Sequence, residues 1–142
     1  MPNTAPRILS VDGIQYMYDQ TRGKMLSIPK MYLRAGIHRR TVTDEYLRLE
    51  DGQPAMTVGD ALIRDATLMG LTANCESNTN WTVKIFRKGV VSPLVTMSLV
   101  GASYKKDSSI NMDVPAGSIL LFKVEGTNIP FPRIILELAW KL

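Results

Sequence analysis

The stretch from Val114 to Leu142, VPAGSILLFKVEGTNIPFPRIILELAWKL, decides the fold. From Arg133 onward, Ile134, Leu136, Leu138, Trp140 and Leu142 alternate with Arg133, Ile135, Glu137, Ala139 and Lys141. A period of two is what a pleated strand with one buried face produces; on a helix the same charges would scatter around the cylinder. Burying one large apolar side chain is worth roughly 1.5–3 kcal/mol, so this apolar face goes far towards offsetting the entropy of ordering the strand, provided a second layer covers it. Ser118 to Glu125 is nearly continuous apolar sequence (Ile119, Leu120, Leu121, Phe122, Val124), as expected of a central strand covered on both faces. Val114-Pro115-Ala116-Gly117 leads into it as a turn, with proline fixing φ and glycine at the exit. Pro130 and Pro132 cannot donate to a ladder, so Gly126 to Pro132 reads as an exposed loop between the two strands.

Upstream, Trp81, Val83 and Ile85 alternate with Thr82, Lys84 and Phe86, and Arg87-Lys88-Gly89 closes that strand with a hairpin-type turn. Val90 to Val100 returns, broken by Pro93, and Gly101 to Ser109 reads as a polar loop before a short strand at Ile110 to Val114. Thr67 to Cys75 is a strand with Gly70 as a bulge position, and Glu76 to Asn80 reads as a loop. Glu45 to Leu49 is a short strand followed by a turn at Glu50 to Pro54. Met56 to Ala66 is either one helical turn or a loop, with Gly59 arguing against anything long. Met1 to Ala5 is a polar lead. Ile8 to Tyr18 is strand-like but interrupted at Asp12-Gly13, Asp19 to Lys24 is a turn, and Met25 to Leu33 is broken by Pro29. Those two segments read either as a ragged hairpin or as an extended arm lying on a neighbour.

Short strands at regular spacing without a convincing helix predict an all-β fold, an antiparallel β-sandwich or jelly roll with an extended N-terminal arm or hairpin. The expected division is residues 1–40 as arm or hairpin and residues 41–142 as the β-sandwich domain. At 142 residues the chain fits one such core. Neither a signal-peptide pattern nor a long apolar run stands in the sequence, so the expected product is soluble, without a membrane span, and made in a cytoplasm. In that setting the sequon Asn80-Trp81-Thr82 is a chance match.

The chemistry-bearing residues are sparse. One histidine, His38, lies among cations in Ile37-His38-Arg39-Arg40, and one cysteine, Cys75, excludes an internal disulfide and paired-thiolate metal sites. Cys75 reads as a small core residue. Phosphate-binding glycine loops and a G-x-S-x-G elbow are absent from the sequence. The carboxylate pairs Asp44-Glu45 and Glu50-Asp51 are sequence neighbours that a strand would point to opposite faces. The expectation is therefore a protein that is not an enzyme, with no catalytic residues, no cofactor and no metal. The net charge of +4 is mildly basic, and the cluster Arg34 to Arg40 and the run Lys84-Ile85-Phe86-Arg87-Lys88 are the two features that would suit a nucleic acid. The simpler reading puts Phe86 in a core layer and the cations on a turn, so nucleic acid is not the expected partner. Trp81, Phe86 and Trp140 are expected in the core or a subunit interface.

One resemblance adds to this. The order Tyr46-Leu47-Arg48-Leu49, then a Gly/Pro turn, Arg64-Asp65-Ala66-Thr67-Leu68-Met69-Gly70-Leu71-Thr72-Ala73, Trp81-Thr82-Val83-Lys84-Ile85 with a basic-Gly turn, VPAGSILLFKV and a proline before the last strand resembles small β-sandwich proteins of tailed-phage virions, over roughly Glu45 to Leu142. Those are typically trimeric decoration, head-fibre or tail-tip knob domains. The resemblance implies a non-enzymatic virion structural protein, capsid decoration first, assembling as a homo-oligomer with a trimer favoured. The alternative is a tail or fibre knob that binds a host-surface glycan through loops such as Glu76 to Asn80, Tyr104 to Ser109 and Gly126 to Pro132. The N-terminal region would then dock on capsid or tail proteins through Tyr16, Met17, Tyr18, Met25, Met31, Tyr32, Arg34, Arg39 and Arg40, residue types common at interfaces.

Overall fold

The computed structural model describes residues 7–49 and 61–142. The expected turn at Glu50 to Pro54, residues 56–60 of the ambiguous Met56 to Ala66 stretch and the polar lead Met1 to Ala5 lie outside them. Among the described residues ten strands form one antiparallel sheet: β1 Ile8–Val11, β2 Ile14–Asp19, β3 Lys24–Gly36, β4 Glu45–Tyr46, β5 Arg48–Leu49, β6 Ala66–Arg87, β7 Val95–Asp107, β8 Met112–Val114, β9 Leu120–Glu125 and β10 Arg133–Lys141. Among the described residues no helix occurs. The all-β antiparallel expectation thus holds, in the form of a curled sheet, a half-barrel.

β6 makes the curl. β8 and β7 lie along one of its edges, and along the other β10 pairs with Ala66–Asn74 while β9 pairs with Thr82–Arg87. Between those halves the β6–β7 register shifts twice, and bulges there sharpen the local twist. The chain therefore turns the corner as a strand. Glu76 to Asn80, expected as a loop, lies inside β6, and most of the expected loop Gly101 to Ser109 lies inside β7. Their polar residues sit there because side chains take over ladder positions at the bulges: Gly101 N–H donates to Asn80 Oδ1 at 2.6 Å, and Trp81 Nε1 donates to the Ala102 carbonyl at 3.1 Å.

One contiguous core fills the concave side, drawing Ala35 from β3 and Ile37 from just after it, Leu68, Leu71, Val83 and Ile85 from β6, Phe122 and Val124 from β9, and Ile134, Leu136 and Leu138 from β10. The alternation expected in the last strand is realised through Leu138. Trp140 is half-buried against the core, and Leu142 is exposed. Ala139, on the opposite face from Leu138, is itself buried, in a second cluster with Leu26 and Met69. β3 reaches that cluster through a bulge at Ser27-Ile28-Pro29, where its pairing with β10 skips from Lys30 to Leu26. Ser27, fully buried, repairs the gap: its Oγ accepts the Trp140 N–H at 2.9 Å and donates to the Pro29 carbonyl at 2.7 Å. Pro29 bends the strand without ending it.

The segment Gly126 to Pro132, expected as an exposed loop, is stitched to residues 37–44. Ile129 and Val42 exchange backbone hydrogen bonds at 2.8 and 3.2 Å, and both are fully buried. Phe131 N–H donates to the Arg39 carbonyl and Ile37 N–H to the Pro132 carbonyl. Thr127 and Asn128 remain exposed.

Candidate functional site

The stitching of residues 37–44 to the segment before β10 fixes the surroundings of the basic cluster. On the convex face, Arg48, Gly36, Arg133, Asn74 and Tyr104 form one row across β5, β3, β10, β6 and β7. The parallel row two residues along contains Arg34, Ile135, Thr72 and Lys106. Residues on one face of a sheet recur every second position, so these rows place Arg34, Arg133, Arg48 and Lys106 on one outer surface. Gly36 matters here because a Cβ at this position would stand 3.0 Å from the Pro132 carbonyl oxygen and 3.4 Å from Arg133 Cγ. The bare backbone lets the Arg133 stem lie across the row.

An open groove runs along this end of the sheet. Among the described residues four arginines line it, Arg34, Arg40, Arg48 and Arg133, together with His38 and a single carboxylate, Glu76. That carboxylate is already engaged, with Arg40 Nη1 3.5 Å away. Phe131 lines the groove with His38 and Arg40 against it: the His38 ring centroid is 4.7 Å from its own, and the Arg40 guanidinium lies 5.5 Å from its centre. Cys75 lines the same groove but is buried and donates to the Ser77 carbonyl, and burial pushes its thiol up from the ordinary value. Among the described residues no three His, Cys, Asp or Glu side chains are grouped to hold a metal.

The second exposed feature is the β1–β2 hairpin. All four residues of β1 are exposed, including Ile8 at 57%, Leu9 at 45% and Val11 at 36%. Neighbouring strand residues point to opposite faces, so β1 is apolar on both sides, and Met17 and Tyr18 extend the apolar surface onto β2. Among the described strands β1 pairs only with β2 and ends the sheet. Its tip is tethered by Arg64, 3.7 Å from Asp12.

The docking residues expected from sequence divide between these features. Tyr18 and Met17 are exposed on the hairpin, whereas Tyr16 is buried beneath it. Met25 and Met31 are half-buried, and Met31 packs against the main core. Tyr32 is exposed and donates its hydroxyl to Glu137 at 2.9 Å, which holds its phenol above the ordinary value. Arg34 and Arg40 belong to the convex groove, while Arg39 is turned to Glu45. Trp81 is buried, and Phe86 and Trp140 are half-buried. Sequence reasoning missed Arg133, Lys106, Phe131 and the β1 residues. The polar face of the last strand marked Arg133 as outward, but only the β3–β10 register brings it beside Arg34.

No family model and no curated protein matches this chain. Among solved structures, one described as FLHE is 13% identical and superposes with a TM-score of 0.33, covering 80% of this chain and 98% of that one. Another, described under "CBM4 structure and function", is 10% identical with a TM-score of 0.32, covering 96% and 78%. Likenesses this distant carry no argument about what this chain does.

Proposed function

We propose that this chain is a non-enzymatic structural protein of a tailed-phage virion, a capsid decoration protein that assembles as a symmetric oligomer, a trimer, with its curled sheet serving as the jelly-roll-like sandwich of that class. The attribution to a virion rests on the sequence pattern from Glu45 to Leu142. The observation that supports an assembly role is the β1–β2 hairpin, apolar on both faces at the end of the sheet. A strand of that kind invites pairing or burial, because soluble proteins ordinarily blunt such edges with charge or proline. Capsid or tail proteins of the same particle are the proposed neighbours, and the virion is the proposed location.

The test is to strip the protein from the particle that carries it. Decoration predicts lower heat resistance with infection by intact particles preserved. Loss of attachment to host cells, with heat resistance unchanged, would instead assign the glycan-binding knob role.

A further inference from the structure

The convex groove is chemically unlike the hairpin and calls for a different occupant. Arg34 and Arg133, nearly diagonal neighbours across the β3–β10 pair, have no carboxylate partner among the described residues, and Lys106 extends the same row as Arg34 across β6 to β7. Among the described residues the groove carries four arginines and one carboxylate, itself engaged, and the next row of the same face adds Glu137, already held by Tyr32, so the groove is complementary to an anion. Guanidinium forks bind carboxylates two-pronged, which gives orientation as well as attraction.

We propose that this face is a docking site for an acidic, extended polypeptide segment of a partner protein, with its carboxylates on Arg34 and Arg133 and an apolar side chain on Ile135. Two observations favour a polypeptide. Ile135 is half-buried and lies directly opposite Arg34, so the row mixes an apolar seat with a cation at strand spacing. Phe131, the aromatic of the groove, already has His38 and Arg40 against it, which leaves less of its ring for a nucleic-acid base to stack on. The proposal stands apart from the virion reading, since it concerns the partner's chemistry and not its source.

The experiment uses the full chain and a fluorescently labelled oligoglutamate peptide carrying interspersed leucines, with binding read by anisotropy across a salt series. A single-stranded oligonucleotide of matched charge is titrated in parallel. The expected result is peptide binding that weakens as salt rises, tighter than oligonucleotide binding, and weakened by roughly tenfold or more in the Arg34→Gln/Arg133→Gln variant. The control variant Arg87→Gln/Lys88→Gln removes the same charge from the β6–β7 turn and should bind as the parent does. An unchanged thermal transition in both variants establishes that each is folded; if the first is not, Lys106→Gln, at the strand edge, takes its place with a smaller expected loss. Equal weakening in the two variants, no peptide binding at low salt, or preference for the oligonucleotide would each overturn the proposal.

Discussion

At the residue scale, the described chain secures its seams with a few charged side chains that each serve several elements. Asp113 on β8 accepts from Lys24 Nζ at 2.7 Å, Lys141 Nζ at 2.9 Å and Thr67 Oγ1 at 2.7 Å, tying together β3, β10, β8 and β6. Partial burial pushes its carboxyl up, but those three hydrogen bonds and the Lys24 charge outweigh burial and hold it well below the ordinary value of 3.8. Because the folded-state value is depressed, the carboxylate contributes stability that is fully present above the unfolded value and is lost as pH falls below it. Asp113→Asn should therefore lower the melting temperature at neutral pH, with the gap to the parent closing only as pH drops below about 4. Thermal melts of both proteins across pH check this, and a gap that persisted unchanged in acid would remove the ionic explanation. Arg22 acts similarly at the other end of β8: its guanidinium donates to the carbonyls of Ile110, Met69 and Ser108 and to Asp19, pinning the β2–β3 turn against the chain between β7 and β8.

At the element scale, the decisive feature is the corner in β6 and β7, against which Gly126 packs closely. Its φ of +145° lies where side chains are strained, and a Cβ there would stand 3.0 Å from the Asn80 carbonyl oxygen and 3.2 Å from Trp81 Cβ. Backbone cannot yield as a flexible side chain does, so Gly126→Ala should cost about 1–3 kcal/mol in chemical denaturation. A variant as stable as the parent would mean the corner is not held this way. The last strand was legible in the sequence because Ile134, Leu136 and Leu138 alternate against one core. The corner was not, since Glu76, Ser77, Asn78 and Asn80 have loop composition and are kept in β6 by bulges and by Asn80 bonding to Gly101, neither of which has a local signal. Pro29 misled for the same reason: the Ser27 hydroxyl replaces the missing ladder bond from within the bulge.

At the scale of the whole molecule, the candidate surfaces were legible only in part. The cluster Arg34 to Arg40 stood out in the sequence, but the structure disperses it, sending Arg39 to Glu45 and Arg40 to Glu76 while recruiting Arg133 from the far end of the chain. The N-terminal segment, open between arm and hairpin in the sequence, contributes β3 as a strand joined to β10 from Gly36 to Leu26, with β1 and β2 continuing the sheet beyond it. The hairpin leaves Ile8, Leu9, Val11, Met17 and Tyr18 exposed together, and in the proposed oligomer another copy covers them. The mass in solution, measured by light scattering over a concentration series, tests this most directly. The account predicts a mass near three times the 15.8 kDa of the chain, falling to that of one chain in a Leu9→Lys/Met17→Glu variant that keeps its thermal transition. A parent protein that stays at the mass of one chain at every concentration would contradict it.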